Sequence, residues 1–236
     1  MSAHPPRLSG HRSDVRPGDA PPAGTGLPAD APVLRRDAAR NRDKILAAAR
    51  AAFDEEGVDV GVEVIAHRAG VGVGTLYRRF PTKESLIEAV VDEVLQAILS
   101  AAQTALDHEP AATGFAAYLR SVGWLQFEHA GCLTRLWNNS PGDVRDRIEV
   151  ASRTLLAQAQ EAGAVRQDLV YEDVIVLFWS LRGVIEVTST VSPEAWLRHL
   201  DLLLTALAPS DQPLRHPPLT TAQIEEAKAA FAVRDA

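Results

Sequence analysis

The sequence has a single cysteine, Cys132, and that scarcity excludes an intramolecular disulfide and any cysteine-cluster metal site within one chain. A reducing compartment is the simple expectation. Long apolar runs are also missing: nothing reaches the 18 or so residues that a membrane-spanning helix needs. The N-terminus, rich in Pro, Arg and Asp, lacks the apolar stretch of about 7 to 15 residues that marks a secretory leader. A soluble cytoplasmic chain with no membrane partner is therefore expected. Bulk positive charge is absent too. With a formal net charge of -7 and a pI near 5.5, the chain cannot coat nucleic acid by composition alone, so any such site must be local. No internal repeat is present, and no strand-like run is bounded by turn residues.

What the sequence does have is apolar content, 46% of 236 residues, enough to bury a sizeable core. Residues 1–34 hold seven of the fifteen prolines and no hydrophobic periodicity, and they read as a disordered tail. A second proline-rich stretch, Pro209 to Pro218, precedes Thr220 to Ala232, where Ile224, Ala227 and Phe231 suggest a short amphipathic helix in a tail over 209–236.

Between these tails the spacing is helical throughout. Ile45, Ala49, Ala52 and Phe53 form one stripe over 37–55, ended by Gly57. Val62, Ile65, Ala66 and Ala69 repeat it over 62–69, ended by Gly70, and a very short helix from Gly74 to Phe80 is stopped by Pro81. A long helix follows from Lys83 to about Leu106. Further helices are expected over 111–129, 131–140, 142–162, 171–190 and 193–207, punctuated by Pro110, Gly131, Pro141, Gly163 and Pro193.

Charge is placed unevenly along this pattern. Residues 35–83 carry ten Lys/Arg against seven Asp/Glu, a basic unit on an acidic body, which suits phosphate binding at one end of the molecule. Within it, a short helix, a glycine-containing turn and a second short helix anchored only by Leu76 and Phe80 make a helix-turn-helix. The rest of that second helix, Thr75, Tyr77, Arg78 and Arg79, offers hydroxyls and guanidinium groups with no core to serve. Arginine can take guanine O6 and N7 as a bidentate pair, and hydroxyls can donate to phosphate oxygens.

Taken with Ile45, Leu46, Ala48, Ala49, Phe53 and Gly57 in the first helix, Ile65-Ala66, Ala69-Gly70-Val71, Gly74 to Phe80 and Pro81 to Leu86, the segment from Arg42 to Val91 resembles the DNA-binding domain of the TetR family of bacterial transcriptional regulators. The resemblance implies that Thr75, Tyr77 and Arg79 touch phosphates or bases, that Arg78 and Val73 read bases, and that Lys83 grips a phosphate at the start of the fourth helix. Two positions depart from the family pattern: Gly61 and Gly72 stand where a hydroxyl residue is common. Glycine caps a helix almost as well, so only the hydroxyl contacts are lost.

The expected fold is all-α. A three-helix helix-turn-helix DNA-binding domain over 35–84 is joined by the long fourth helix to a helical ligand-binding and dimerisation domain over 85–208. The run Val174 to Trp179 is apolar on all sides and so must be buried on all sides, most easily against a second subunit. The resemblance implies that the last two core helices pair across a two-fold axis, with Phe178, Trp196, Leu197, Leu200 and Leu204 at the interface. A pocket for an unidentified small-molecule effector is expected among helices 111–187. Its bulky or polar-tipped candidates are Trp124, Phe127, His129, Cys132, Trp137, Asn138, Phe178 and Trp179. The implied function is a homodimeric regulator, a repressor released from a pseudo-palindromic double-stranded operator by its effector. A constitutive regulator or an activator without a ligand is the alternative.

Enzyme readings are weaker. Gly70, Gly72 and Gly74 precede a helix, but a dinucleotide loop needs a strand before it and a βαβ unit around it. Cys132 and His129 lack any orienting motif, and a lone cysteine is far more often a core hydrophobe. His67 has no second ligand at helical spacing. No catalytic residue, metal site or cofactor is expected.

Overall fold

The structure is a computed structural model that describes residues 31–130 and 142–234, with side chains over 40–130 and 142–230. The expected helix over 131–140, together with Cys132, Trp137 and Asn138, lies outside the described residues. Residues 1–37 and 38–236 form separate units, and the packing below is that of the second.

The described residues form helices and no strands: α1 (Ala31–Glu56), α2 (Val62–Ala69), α3 (Val73–Arg79), α4 (Lys83–His108), α5 (Ala111–Glu128), α6 (Gly142–Glu161), α7 (Tyr171–Thr188), α8 (Ala195–Ala206) and α9 (Thr221–Arg234). α1 starts six residues earlier than its apolar stripe suggests, and Pro32 is no obstacle because the first helical turn has no intrahelical partner for the missing N–H.

Glycines and a proline set the first boundaries. Gly57 and Gly70 take φ of +81° and +66°, the left-handed region that a side chain resists. At Gly70 the Val71 N–H reaches back to Ala66 O at 3.0 Å and the Gly70 N–H to His67 O at 3.1 Å, which satisfies the last carbonyls of α2. Gly61 and Gly72 start α2 and α3 in extended geometry without a side-chain cap. α4 is capped more firmly. Ser85 N–H donates to Thr82 Oγ1 at 3.0 Å, and Thr82 N–H donates to Ser85 Oγ at 3.2 Å. Thr82→Ala should lower stability by about 1 kcal/mol, read as a shifted urea midpoint at unchanged slope.

Two apolar clusters follow. The first joins α1, α2, α3 and the first half of α4 around Ile45, Phe53, Ile65, Leu76 and Leu86, and takes in Val144 from the start of α6. The second joins the rest of α4 to α5, α6, α7 and α8 around Phe115, Leu119, Leu155, Leu181 and Trp196. Ion pairs tie α1 to α4, because Glu93 meets both Arg50 and, at 3.9 Å, Arg42. No helix among the described residues is long and apolar enough to cross a membrane.

Candidate nucleic-acid interface

α3 has two unlike faces. Leu76 is fully buried and Phe80, just beyond the helix, is 5% exposed, so together they seat α3 on the first core. Tyr77, Arg78 and Arg79 are exposed and Thr75 is half-buried. Arg78 Nη2 donates to Thr75 Oγ1 at 2.9 Å, one turn back, which holds the guanidinium along the outward face. Val73, expected to face a groove, is half-buried and packs against the first core, because a residue three before Leu76 falls on the same side of the helix. The outward position that sequence reasoning missed is Gly74, where a Cβ would meet nothing within 4 Å. Its lack of a side chain brings a partner surface closer to the backbone.

The cations of this unit divide into two sets. Arg68 on α2 is held by Glu55 at 2.7 Å and by Glu56, while Arg42 and Arg50 face Glu93, so these charges are spent within the protein. Arg79 and Lys83 have no carboxylate within ion-pairing distance among the described residues. Lys83 occupies the first turn of α4, where the positive end of the helix dipole adds to its charge. The basic excess in the sequence therefore survives as free charge at α3 and the start of α4.

The solved structure of a TetR regulatory protein from Mycobacterium vanbaalenii is 31% identical to this chain; the match covers 74% of this chain and 99% of that one, with a TM-score of 0.56. The chain belongs to the TetR family. A second TetR structure, from Streptomyces coelicolor, is 35% identical over 72% of this chain and 99% of its own, with a TM-score of 0.55. The model of the bacterial regulatory proteins of the tetR family matches residues 45–90, which hold α2, α3 and the start of α4. A model of SbtR-like transcriptional regulator C-terminal domains matches 135–209. Curated HTH-type transcriptional regulators of Staphylococcus aureus are 40% identical over 68 residues, a match that spans 37% of their length. The chain is thus a DNA-binding TetR-family transcriptional regulator and not an enzyme. The Gly70 to Gly74 loop joins two helices, as the fold of this family requires and as a dinucleotide loop does not.

TetR regulators carry a second, helical domain, and here a cavity of about 340 Å³ lies between α4, α5, α6, α7 and α9. Of the residues expected to line it, Phe178 and Trp179 do so. Trp124 and Phe127 do not: they point to the opposite side of α5 and form an aromatic group with Trp196, Phe127 stacking on it at 5.8 Å and Trp124 tilted at 6.3 Å. His129 turns instead toward the DNA-binding unit, with Nδ1 3.7 Å from Asp54 Oδ2 on α1. α5 lines the cavity through Tyr118, Val122 and Gln126, four residues apart on one face. Burial pushes the Tyr118 phenol up to about 12, so it stays protonated and donates.

The residues expected at a subunit interface also separate. Trp196 and Leu200, 3% and 1% exposed, are buried in their own chain against Gly123 of α5. Phe178 is buried too, edge-on to Tyr118 at 6.1 Å. Leu204 is half-buried and Leu197 is exposed. Val174 to Trp179 is not buried on all sides, since Val176 is exposed. Val176, Gly183 and Val187 make an outward stripe on α7, Ser180 within it meets His199 of α8 at 3.2 Å, and Leu202, one turn beyond His199, is exposed as well.

Proposed function

We propose that this protein represses transcription as a homodimer that grips a pseudo-palindromic operator through two copies of α3, and that a small molecule in the cavity releases it. The observation that carries the DNA-reading part is the split of α3, with Leu76 and Phe80 buried while Tyr77, Arg78 and Arg79 project beside Lys83, and neither Arg79 nor Lys83 is paired with a carboxylate among the described residues. Thr75, Tyr77, Arg79 and Lys83 serve the phosphates, Arg78 reads a base, and Val73 seats the helix. The dimer is formed by the outward stripe of α7 with Leu202 of α8, and the functional division between reading and sensing falls within α4. The cavity, mainly apolar, has the size of a small-ligand site, which favours effector control over constitutive binding.

Selection of bound duplexes from a randomised library tests the DNA-reading part. An inverted repeat with half-sites about one helical turn apart is expected, and binding without sequence preference would refute it. Once an operator is in hand, Lys83→Ala should weaken all sequences alike and reduce the salt slope by about one unit, because one phosphate contact holds about one counterion. Arg78→Ala should leave the slope almost unchanged and cost about 1 to 3 kcal/mol at one base position. Arg68→Ala, which removes a cation already paired to Glu55 and Glu56, should do neither. A slope lowered by Arg68→Ala as much as by Lys83→Ala would overturn the division of charges.

A further inference from the structure

The chain does not leave the sensing domain after α8. Arg166, ahead of α7, donates from Nη2 to Gln212 O at 2.8 Å and from Nε to Asp168 at 2.5 Å, and Asp168 accepts the Leu214 N–H at 2.8 Å. The Arg166 guanidinium and that backbone bond hold the Asp168 carboxyl down at about 2. The proline-rich segment is thereby laid along the domain, and α9 follows it back. Thr221 Oγ1 donates to Glu172 Oε1 at 2.9 Å. Burial alone would raise the Glu172 carboxyl, but bonds from its own backbone, Thr221 and Arg153 outweigh it and hold it below its ordinary value. Ile224 is 1% exposed, and Glu225 and Lys228, joined at 2.6 Å, face into the cavity. Across it, burial lowers Arg145 while the nearby Glu225 acts in the opposite sense. The family's C-terminal domain model ends at residue 209, so this segment lies beyond the part shared with it.

The cavity's polar atoms indicate what it holds. Four of its charged groups are matched within the protein: Lys228 with Glu225, Arg182 with Glu186 at 3.1 Å, and Glu149 with Arg153 at 2.8 Å. Val122, Ile175 and Phe178 supply apolar wall. Ser152 donates its one hydroxyl proton to Ile148 O at 2.7 Å, so Tyr118 must donate to Ser152 at 2.8 Å and its own oxygen is left as an acceptor. Gln126, 5% exposed, presents a buried Oε1 that no donor among the described residues satisfies. Buried acceptors without donors call for a partner.

We propose that the segment from Pro209 through α9 is a strap forming the outer wall of the effector site, and that the site takes a small uncharged molecule with an apolar body and one N–H or O–H donor, which enters and leaves when the strap lifts. This rests on the reading of the cavity as the effector site.

N-phenyl-1-naphthylamine, an uncharged fluorescent amine with one N–H, and 1-phenoxynaphthalene, its ether counterpart without the donor, test it on the full chain. The amine should bind once per subunit, and the ether should displace it about tenfold more weakly, as expected where one buried hydrogen bond decides. In stopped flow, Ile224→Asp should speed both uptake and release of the amine about tenfold or more, as loss of a gating contact does, with operator affinity in the absence of probe unchanged. Thr221→Val, which removes only the bond to Glu172, should shift both rates the same way by less. Equal exchange rates in all three proteins would overturn the strap, and equal competition by the ether would overturn the donor requirement. No uptake of the amine by wild type or variants would bring down the effector-site reading itself.

Discussion

Leu202→Asp is expected to yield a folded monomer that has lost most of its operator affinity. Leu202 is 58% exposed in the single subunit, so a carboxylate there costs the subunit's own fold little, whereas on a two-fold face it would meet its symmetry mate or an apolar neighbour such as Val176 or Val187. Binding two half-sites as a linked pair is worth about 10² to 10⁴ in affinity over one, and that advantage disappears with the dimer. Sedimentation should show one species of subunit mass at micromolar concentration, with helical circular dichroism retained. Leu200→Asp is the informative contrast. At 1% exposure it lies inside its own subunit, and that variant should unfold the α5–α8 packing rather than report on association. If Leu202→Asp remains dimeric and binds operator normally, the interface lies elsewhere.

Gly123→Leu should destabilise the packing of the second apolar cluster by about 3 kcal/mol, the upper end of the usual range for overpacking. A Cβ at Gly123 would sit 2.9 Å from Trp196 Cζ3 and 3.5 Å from Leu200 Cδ2, both buried, so the tryptophan must yield before any larger side chain fits. Gly123→Ala divides two effects. Alanine gains up to about 1 kcal/mol of helix propensity over glycine, while its methyl group presses on the indole, so the net change should be small. Urea denaturation of the pair, with Trp196→Leu added to each, would show the leucine penalty largely relieved once the indole is gone. A Gly123→Leu protein as stable as wild type would mean that α5 and α8 can separate at no cost.

The helical framework was legible because its boundaries are written in residues with few backbone options. Gly57 and Gly70 take left-handed φ, Pro81 follows α3, and between them the apolar residues recur at helical spacing. α3 was legible for a simpler reason: Leu76 and Phe80 are its core anchors, so Tyr77, Arg78 and Arg79 are left facing out, while Val73, read as outward, packs on the core beside them. The helices from α5 to α8 resisted because they bury more than one face. On α5 the bulky residues Trp124 and Phe127 drew attention as ligand contacts, yet size says nothing of direction, and the cavity side belongs to Tyr118, Val122 and Gln126. On α7 and α8 Phe178, Trp196 and Leu200 went inward to their own subunit, and the residues left facing out, Val176, Val187, Leu197 and Leu202, include only one of those expected there. His129 carried a polar tip that suggested a ligand, but its neighbour is Asp54, a residue 75 positions earlier that no local pattern could bring to it.

Like α4, α6 belongs to both apolar clusters. Val144, 4% exposed, is planted in the cluster that carries α3, while Leu155, eleven positions on and 2% exposed, lies in the cluster beneath the cavity, and Ile148, Glu149 and Ser152 between them line that cavity. At 1.5 Å per residue the two anchors stand about 16 Å apart on a single rigid rod. A molecule that pushes the middle of this rod must disturb packing at one of its ends, and close-packed cores shift between discrete arrangements rather than deform smoothly. The traffic cannot be one-way. If occupancy of the cavity weakens the grip on DNA by some factor, a bound operator must loosen the hold on the small molecule by the same factor, so the protein on its operator would be a poorer sensor than the protein free in solution.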